Sequence, residues 1–149
     1  MTRAALPMYD RAETDNPWEV WQAPDLVLAQ TCGLPYRGRL HGHVTLVGTP
    51  DYGLEGLGPG YYCSALVARA GDGRDLPALA GGVLAINEAG SQSGWAAAQA
   101  HAAARGLEFA RAIRTGAHVD SARAVAAGRA DLAALDAVTW RLIGAHDPA

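Results

Sequence analysis

Two serines and two glycines stand where a short apolar run meets an alanine-rich segment, in Gly90-Ser91-Gln92-Ser93-Gly94. The first amides of a helix have no partners within the helix and lie at its positive end, where the hydroxyls of Ser91 and Ser93 can join them. Gly90 and Gly94 let a ligand approach the backbone closely. This pattern predicts a site for a small tetrahedral oxyanion. Simple capping of the helix by a serine is the plainer interpretation.

Other chemistries do not fit this stretch or this composition. A nucleophile elbow needs serine in the middle of G-x-S-x-G, where the chain has Gln92. The dinucleotide fingerprint G-x-G-x-x-G is absent. All 12 basic residues are Arg, which excludes a Schiff-base lysine and the phosphate-binding lysine of a Walker loop.

Further polar residues lie at the ends of predicted strands. His118 follows one strand in "TGAHVD", and Asp136 closes another in "LAALD". The carboxyl ends of strands line the ligand crevice of an open α/β sheet, so both are candidate binding residues. Capping or surface roles stay open for both, and Asp136 could instead accept a hydrogen bond from a protonated oxyanion. Tyr62 and Ser64 share one face of their predicted strand, opposite Tyr61.

Neither a metal nor a cofactor is expected. His41 and His43 form H-x-H without an evident third ligand. Cys32 and Cys63 form no C-x-x-C motif and are interpreted as buried thiols. The net charge of −3, with basic and acidic residues spread along the chain, argues against nucleic acid as a partner. No apolar run reaches the ~20 residues of a membrane span, so direct membrane insertion is not expected.

The elements that must position these residues alternate between strands and helices, which predicts an α/β fold with a mostly parallel sheet. Asn16 and Pro17 mark the start of the first helix, whose Trp18 and Trp21 are expected in the core. The predicted strands are 4–10, 25–33, 43–50, 61–69, 83–87, 109–115 and 131–137. The predicted helices are 15–23, 75–82, 93–105, 121–128 and 138–146.

Taken in order, several segments resemble the phosphate/phosphite/phosphonate-binding proteins of ABC importers, the PhnD-like branch of the periplasmic binding proteins. They are "LPMYD", "DLVLAQTCGLPY", "VTLVGTPDYG", "YYCSALVAR", "AINEAGSQSGW" and "GAHVDSARAVAAGRADLAALDAVTW", and they span nearly the whole chain. The resemblance implies a fold like that of type II periplasmic binding proteins. Such a fold has two lobes, helices on both faces of mostly parallel sheets, and a non-catalytic site between the lobes.

The resemblance also implies which residues bind the ligand. The second lobe would supply Ser91, Gln92, Ser93, Gly94 and His118 to the phosphorus-bound oxygens. The first lobe would supply Tyr9, Thr31 and Ser64, and Asp136 would face the cleft from a crossover strand. Tyr62 is a further candidate ligand-binding residue, because it shares a strand face with Ser64. The expected organisation is a first lobe at 1–84, a second lobe at 85–138 and a C-terminal helix at 139–149.

The chain departs from the family pattern in length, cysteines and N-terminus. The segments before Asp25 and after "VTW" are shorter than in most members, so we expect an incomplete first lobe. The Gly-rich loop between Thr49 and Gly60 has Leu57 near the place of a cysteine seen in similar sequences, and a Cys32–Cys63 disulfide stays open. The resemblance implies a periplasmic location. A cytoplasmic one stays open because the N-terminus lacks the pattern of an export signal.

Three functions remain in competition. The first is a solute receptor that delivers phosphate, phosphite or a phosphonate to an ABC transporter permease, with the preferred oxyanion left open. The second is a small enzyme of the same fold that uses Cys32 or Ser93 with His118. The third is a ligand-sensing domain that reports to a partner protein.

Overall fold

The computed structural model describes residues 16–146. The chain divides into two units, residues 1–31 and 32–149. In the first unit, helix α1 spans Pro17–Trp21, and the side chain of Asn16 accepts a hydrogen bond from the amide of Trp18. The Trp18 and Trp21 rings meet edge to face at 5.1 Å. No residue of α1 is fully buried, so the expected core position of these tryptophans is wrong. The predicted strand at 4–10 lies outside the described residues.

The second unit holds the remaining elements in the predicted alternation. Helix α2 (Gly33–Pro35) runs directly into a π-helical turn (Tyr36–Leu40), and a second π-helical turn (Gln92–Ala96) leads into helix α4 (Ala97–Ala103). The strands are β1 (Ser64–Ala68), β2 (Val83–Ile86), β3 (Arg111–Arg114) and β4 (Leu132–Asp136). The helices are α2 (Gly33–Pro35) with its turn (Tyr36–Leu40), α3 (Leu76–Ala80), a turn (Gln92–Ala96) with α4 (Ala97–Ala103), α5 (His118–Ala126) and α6 (Ala137–His146).

The four strands form one sheet in the order β1-β4-β2-β3. Strand β2 pairs in parallel with both β3 and β4, and β1 pairs antiparallel with β4. The β2–α4–β3 segment is therefore a crossover unit that joins parallel neighbours. The α/β fold with a mostly parallel sheet is confirmed.

Two apolar clusters lie on opposite faces of this sheet. Alternation along β2 sends Leu84 and Ile86 to one face and Ala85 to the other. Helix α4 covers the first face with Ala98, and α5 covers the second with Ala124. Alanines at these contacts let the helices approach the strands closely. Helices pack on both faces, as predicted.

Two of the predicted strands do not form. Both 25–33 and 43–50 are continuous apolar runs, but neither contains a strand, and Val27 and Val47 are 78% and 77% exposed. No strand among residues 16–146 pairs with either run. Within residues 16–146, most side chains of both runs are exposed, whereas a strand of a parallel sheet is buried on both faces. The predicted division into lobes at 1–84 and 85–138 stays a prediction.

Candidate functional site

One edge of the sheet gathers residues from all four strands. The parallel strands β2, β3 and β4 end there, and the antiparallel β1 begins there. Asp136, the last residue of β4, pairs with Ser64, the first residue of β1. The loops that follow β2 and β3 carry Ser93 and His118 to the same edge. This is the edge at which an open α/β sheet presents its ligand crevice.

Ser91 caps the helical segment that follows β2. Its Oγ accepts a hydrogen bond from the amide of Gly94 at 3.0 Å, and its side chain is buried. The first turn is wide, because the amide of Ala96 bonds the carbonyl of Ser91 at 3.0 Å, a spacing of five residues. Such π-helical turns occur frequently at functional sites. The capping interpretation therefore describes what the Ser91 hydroxyl oxygen does here.

Ser93, two residues further on, points to the histidine instead. Its Oγ lies 3.0 Å from Nε2 of His118, and Ser93 is only 5% exposed. The same Nε2 lies 3.5 Å from Oδ2 of Asp136. The other carboxylate oxygen, Oδ1, accepts a hydrogen bond at 2.8 Å from the amide of Thr139 at the start of α6. Asp136 thus combines the capping role with a position facing His118.

The electrostatic setting keeps His118 neutral near pH 7. Burial lowers the pKa of His118 below its ordinary value of 6.5, and the Asp136 carboxylate acts in the opposite direction. A neutral imidazole has one donor nitrogen and one acceptor nitrogen. Nε2 can therefore serve either Ser93 or Asp136 at any moment, but not both.

Two residues that sequence reasoning missed hold the His118 loop. Gly116 adopts φ 93°, a conformation that favours glycine, and its amide bonds the carbonyl of Asn87 at 3.0 Å. The hydroxyl of Thr115 donates to the carbonyl of Ile86 and lies 2.7 Å from Oγ of the fully buried Ser121. The sequence signal for this brace is the Thr-Gly pair at the end of a strand, which is typical of a tight turn.

Gly94 fits between two side chains of the site. A Cβ added at Gly94 would overlap Oδ1 of Asn87 and would lie 3.0 Å from Cε1 of His118. Only glycine allows this close approach without a shift of the neighbours. Asn87 was not predicted as a site residue, and its buried Oδ1 has no hydrogen-bond partner in the described part of the chain.

A pocket of about 270 Å³ adjoins this group of residues. Three of the predicted residues, Tyr62, Ser64 and Gln92, lie in its wall. The hydroxyl of Ser64 donates to the carbonyl of Ser93 at 3.0 Å and so links the pocket to the Ser93–His118 pair. The complete lining is Gly33, Arg37, Tyr62, Cys63, Ser64, Gln92 and Ala97.

Tyr62 presents its phenol to this region as a hydrogen-bond donor. The phenol oxygen is buried and has no hydrogen-bond partner within residues 16–146. Burial raises the pKa of Tyr62 to about 12, so the proton stays on the oxygen at neutral pH. Tyr61 is 72% exposed. The two tyrosines diverge as predicted, although β1 begins only at Ser64.

Arg37 is the charged residue of the pocket wall, and sequence reasoning missed it. Its Nη2 donates to Oε1 of Gln92 at 2.9 Å, which joins the two π-helical turns. A Cβ at Gly33 would lie 3.0 Å from Nη1 of Arg37, so glycine makes room for the guanidinium. In the sequence, "YRGR" matches no ligand-binding motif. The absence of lysine was the usable signal, because it leaves arginine as the only basic residue type available to hold an anion.

The two cysteines are free thiols, so the disulfide does not form. Cys63 is exposed, contrary to the expectation of a buried thiol, and lies in the pocket wall. Sγ of the half-buried Cys32 accepts a hydrogen bond from the amide of Gln92 at 3.4 Å. Its thiol therefore contacts a helix-start amide rather than His118.

Two predicted residues do not belong to the second unit, which holds this group. Tyr9 lies outside the described residues, and Thr31 belongs to the first unit. In the described range, no three His, Cys, Asp or Glu side chains come together as a metal site would require. None of the helices in residues 16–146 is long and apolar enough to cross a bilayer.

One family model matches most of the chain. The model describes the periplasmic substrate-binding protein of phosphonate ABC transporters, and it matches residues 26–149. The matched range contains the whole sheet and every residue of the pocket wall. No curated protein matches the chain.

Proposed function

The chain belongs to the family of phosphonate-binding periplasmic substrate-binding proteins of ABC transporters, and from this premise we propose that it binds phosphate, phosphite or a small phosphonate for an ABC permease. The family acts in transport and is not an enzyme family. The mechanism we propose is lobe closure, in which the ligand binds the closed form better than the open form. The family is periplasmic, and we propose the same location for this chain.

One observation carries the proposal: hydrogen bonds link predicted residues from separate segments beside a pocket. Ser64 donates to the carbonyl of Ser93, whose hydroxyl lies 3.0 Å from His118 Nε2. Tyr62 and Gln92 stand in the same pocket wall as Ser64. An oxyanion in this pocket would accept hydrogen bonds from the phenol of Tyr62 and the side-chain amide of Gln92, and from the hydroxyl of Ser64 once it releases the Ser93 carbonyl. Each charge-assisted hydrogen bond contributes about 1.5–3 kcal/mol.

The Ser93–His118–Asp136 group suits an oxyanion that carries a proton. These three side chains already contact one another, so a bound ligand would replace some of these contacts with hydrogen bonds to its own oxygens. A protonated ligand oxygen could donate to Oδ2 of Asp136, which faces Nε2 of His118 at 3.5 Å. His118 and Ser93 would then donate to the unprotonated oxygens.

The two-lobed arrangement remains part of the proposal. We assign residues 1–84 to a first lobe, 85–138 to a second lobe and 139–149 to a C-terminal helix, with Tyr9 and Thr31 supplied by the first lobe. In the second unit, β1 from the proposed first lobe pairs with β4 from the proposed second lobe. Strands shared in this way would connect the lobes at the base of a cleft.

The enzyme alternative rests on one contact, the 3.0 Å approach of Ser93 Oγ to His118 Nε2. In a nucleophile–base–acid relay, the acid orients the base through the ring nitrogen that does not face the nucleophile. Here Ser93 and Asp136 both approach Nε2. The buried serine and this shared nitrogen favour a binding role over acyl transfer.

A thermal-shift series with phosphate, phosphite, methylphosphonate, 2-aminoethylphosphonate and sulfate tests the proposal. A ligand present at about 100 times its Kd adds about 2.7 kcal/mol to the free energy of unfolding. For a chain of this size that raises Tm by roughly 5–10 °C. We expect a shift with at least one phosphorus oxyanion and none with sulfate. Equal shifts with all five anions, or none, would contradict the proposal.

A further inference from the structure

We propose that Arg37 and Gln92 form a second anion subsite, which gives the chain a preference for phosphonates whose substituent carries a carboxylate. This inference rests on the proposed function, because it assigns the substituent end of the same pocket. The probe ligand is phosphonoacetate, in which a carboxylate and a phosphonate are joined through one carbon.

The guanidinium of Arg37 lies in the pocket wall beside Gln92. Nη2 of Arg37 donates to Oε1 of Gln92 at 2.9 Å, and the glycine at position 33 leaves room for Nη1. All three residues belong to the wall of the pocket of about 270 Å³. Gln92 therefore holds the guanidinium against the pocket through a neutral carbonyl.

The guanidinium of Arg37 has hydrogen-bond donors beyond the one that bonds Gln92. A guanidinium has five N–H donors in a planar fork that matches a carboxylate, and the bond to Gln92 occupies one of them. No carboxylate of residues 16–146 forms an ion pair with Arg37. A ligand carboxylate would complete a charge-assisted pair that the described protein groups leave open.

Apart from Arg37, the residues that line the pocket carry no charge at neutral pH that would attract a cation. Tyr62 keeps its proton at neutral pH and offers an O–H donor, and no acidic residue stands in the lining. An ammonium substituent would face Arg37 with no carboxylate in the wall to pair with it. The pocket therefore discriminates by charge, in favour of a second anionic group and against a cationic one.

The pocket is large enough for a phosphonate that carries a short substituent. A volume of about 270 Å³ corresponds to roughly nine water molecules at about 30 Å³ each. A phosphonate with one short carboxylate substituent fits within that volume. The phosphonate group would lie toward Ser64, whose hydroxyl reaches the Ser93 carbonyl, and the carboxylate would lie toward Arg37.

Isothermal titration calorimetry of the full chain at pH 7 with methylphosphonate, phosphonoacetate and 2-aminoethylphosphonate tests the inference. We expect phosphonoacetate to bind at least about tenfold more tightly than methylphosphonate, and 2-aminoethylphosphonate to bind more weakly than both. In Arg37→Gln the ratio of the methylphosphonate Kd to the phosphonoacetate Kd should fall to about one, because the loss of the guanidinium weakens phosphonoacetate binding the most. Arg39→Gln removes the same charge from the same turn outside the pocket lining and should keep the preference.

The outcomes separate this inference from the proposed function. Binding of methylphosphonate with no preference for phosphonoacetate would overturn the subsite and leave the proposed function standing. A preference that survives in a folded Arg37→Gln variant would also overturn the subsite. If none of the three ligands nor phosphate or phosphite binds, both proposals fall together. Circular dichroism of each variant shows that the chain is folded.

Discussion

The hydroxyl oxygen of Ser93 lies 3.0 Å from Nε2 of His118, although the two residues belong to helical segments that follow different strands. The parallel pairing of β2 with β3 brings these segments to one edge of the sheet. Asp136 approaches the same nitrogen from β4. Three segments that are distant in sequence therefore control the protonation and hydrogen bonding of one imidazole.

Replacing His118 should weaken ligand binding without abolishing any turnover. In His118→Gln, the contact to Ser93 is lost or remade by an amide, and the Kd for the preferred phosphorus oxyanion should rise roughly tenfold, about 1.4 kcal/mol. Titration calorimetry measures the change. His101→Gln, at an exposed position of α4, is the matched control and should bind normally. Hydrolysis of a phosphonate by the unmodified chain that His118→Gln abolishes would instead support the enzyme alternative.

The free energy of unfolding should fall as the pH is lowered through the ordinary pKa of histidine. Burial lowers the pKa of His118 in the folded chain, so between that value and 6.5 the unfolded chain binds more protons. The contribution of His118 to stability is therefore present above pH 6.5 and is lost as the pH falls through the folded pKa. Urea unfolding at pH 7.5, 6.5 and 5.5 measures this loss.

The variant His118→Gln supplies the control for that experiment. Glutamine does not titrate, so the decline in stability between pH 7.5 and 5.5 should be smaller in the variant than in the unmodified chain. The difference between the two curves isolates His118 from the other histidines. Identical curves would show that His118 titrates normally in the folded chain.

Asp136 should raise the pKa of His118 by its charge and stabilise α6 by its cap. The substitution Asp136→Asn keeps an oxygen for the amide of Thr139 but removes the charge 3.5 Å from Nε2. We expect the pKa of His118 to fall further in this variant, because burial then acts without the opposing carboxylate. An NMR titration of the His118 ring protons measures the shift, and a pKa that rises would contradict the arrangement.

The sequence predicted well the elements whose ends carry local signals. Asn16 and Pro17 predicted the start of α1, and the apolar run 83–87 predicted β2. The two failed strands at 25–33 and 43–50 had the apolar composition of buried strands but no local signal for a partner. Strand formation depends on pairing and on a second layer, which a single run of residues does not encode.

For the site, the sequence identified residues at strand ends and missed those that act through tertiary contacts. Ser93, His118 and Asp136 could be named because each follows or closes a strand. Arg37 and Asn87 could not, since their importance arises from neighbours that lie far away in sequence, Gln92 for the arginine and Gly94 for the asparagine. The sequence also could not show which of the two serines caps the helix, Ser91, and which faces His118, Ser93.

The cap at Ser91 should contribute measurably to stability. In Ser91→Ala the amide of Gly94 loses its acceptor in a buried setting, and the free energy of unfolding should fall by about 1–2 kcal/mol. Ser91→Thr keeps a hydroxyl oxygen at the cap and should lose less. Urea unfolding of the two variants measures the difference, and equal losses would indicate that packing rather than capping matters at this position.

Gly94, in the π-helical turn, should tolerate no side chain, whereas Gly90 before that turn should accept one. A methyl group at Gly94 would overlap Oδ1 of Asn87 and press on Cε1 of His118, so Gly94→Ala should cost about 1–3 kcal/mol of stability. Nothing lies within 4 Å of a Cβ at Gly90, and its φ is not positive. Gly90→Ala should therefore stay within about 0.5 kcal/mol of the unmodified chain. Urea midpoints measure both variants. Because the displaced neighbour is His118, Gly94→Ala should also weaken oxyanion binding, and full stability with full binding would show that Asn87 and His118 do not close on this glycine.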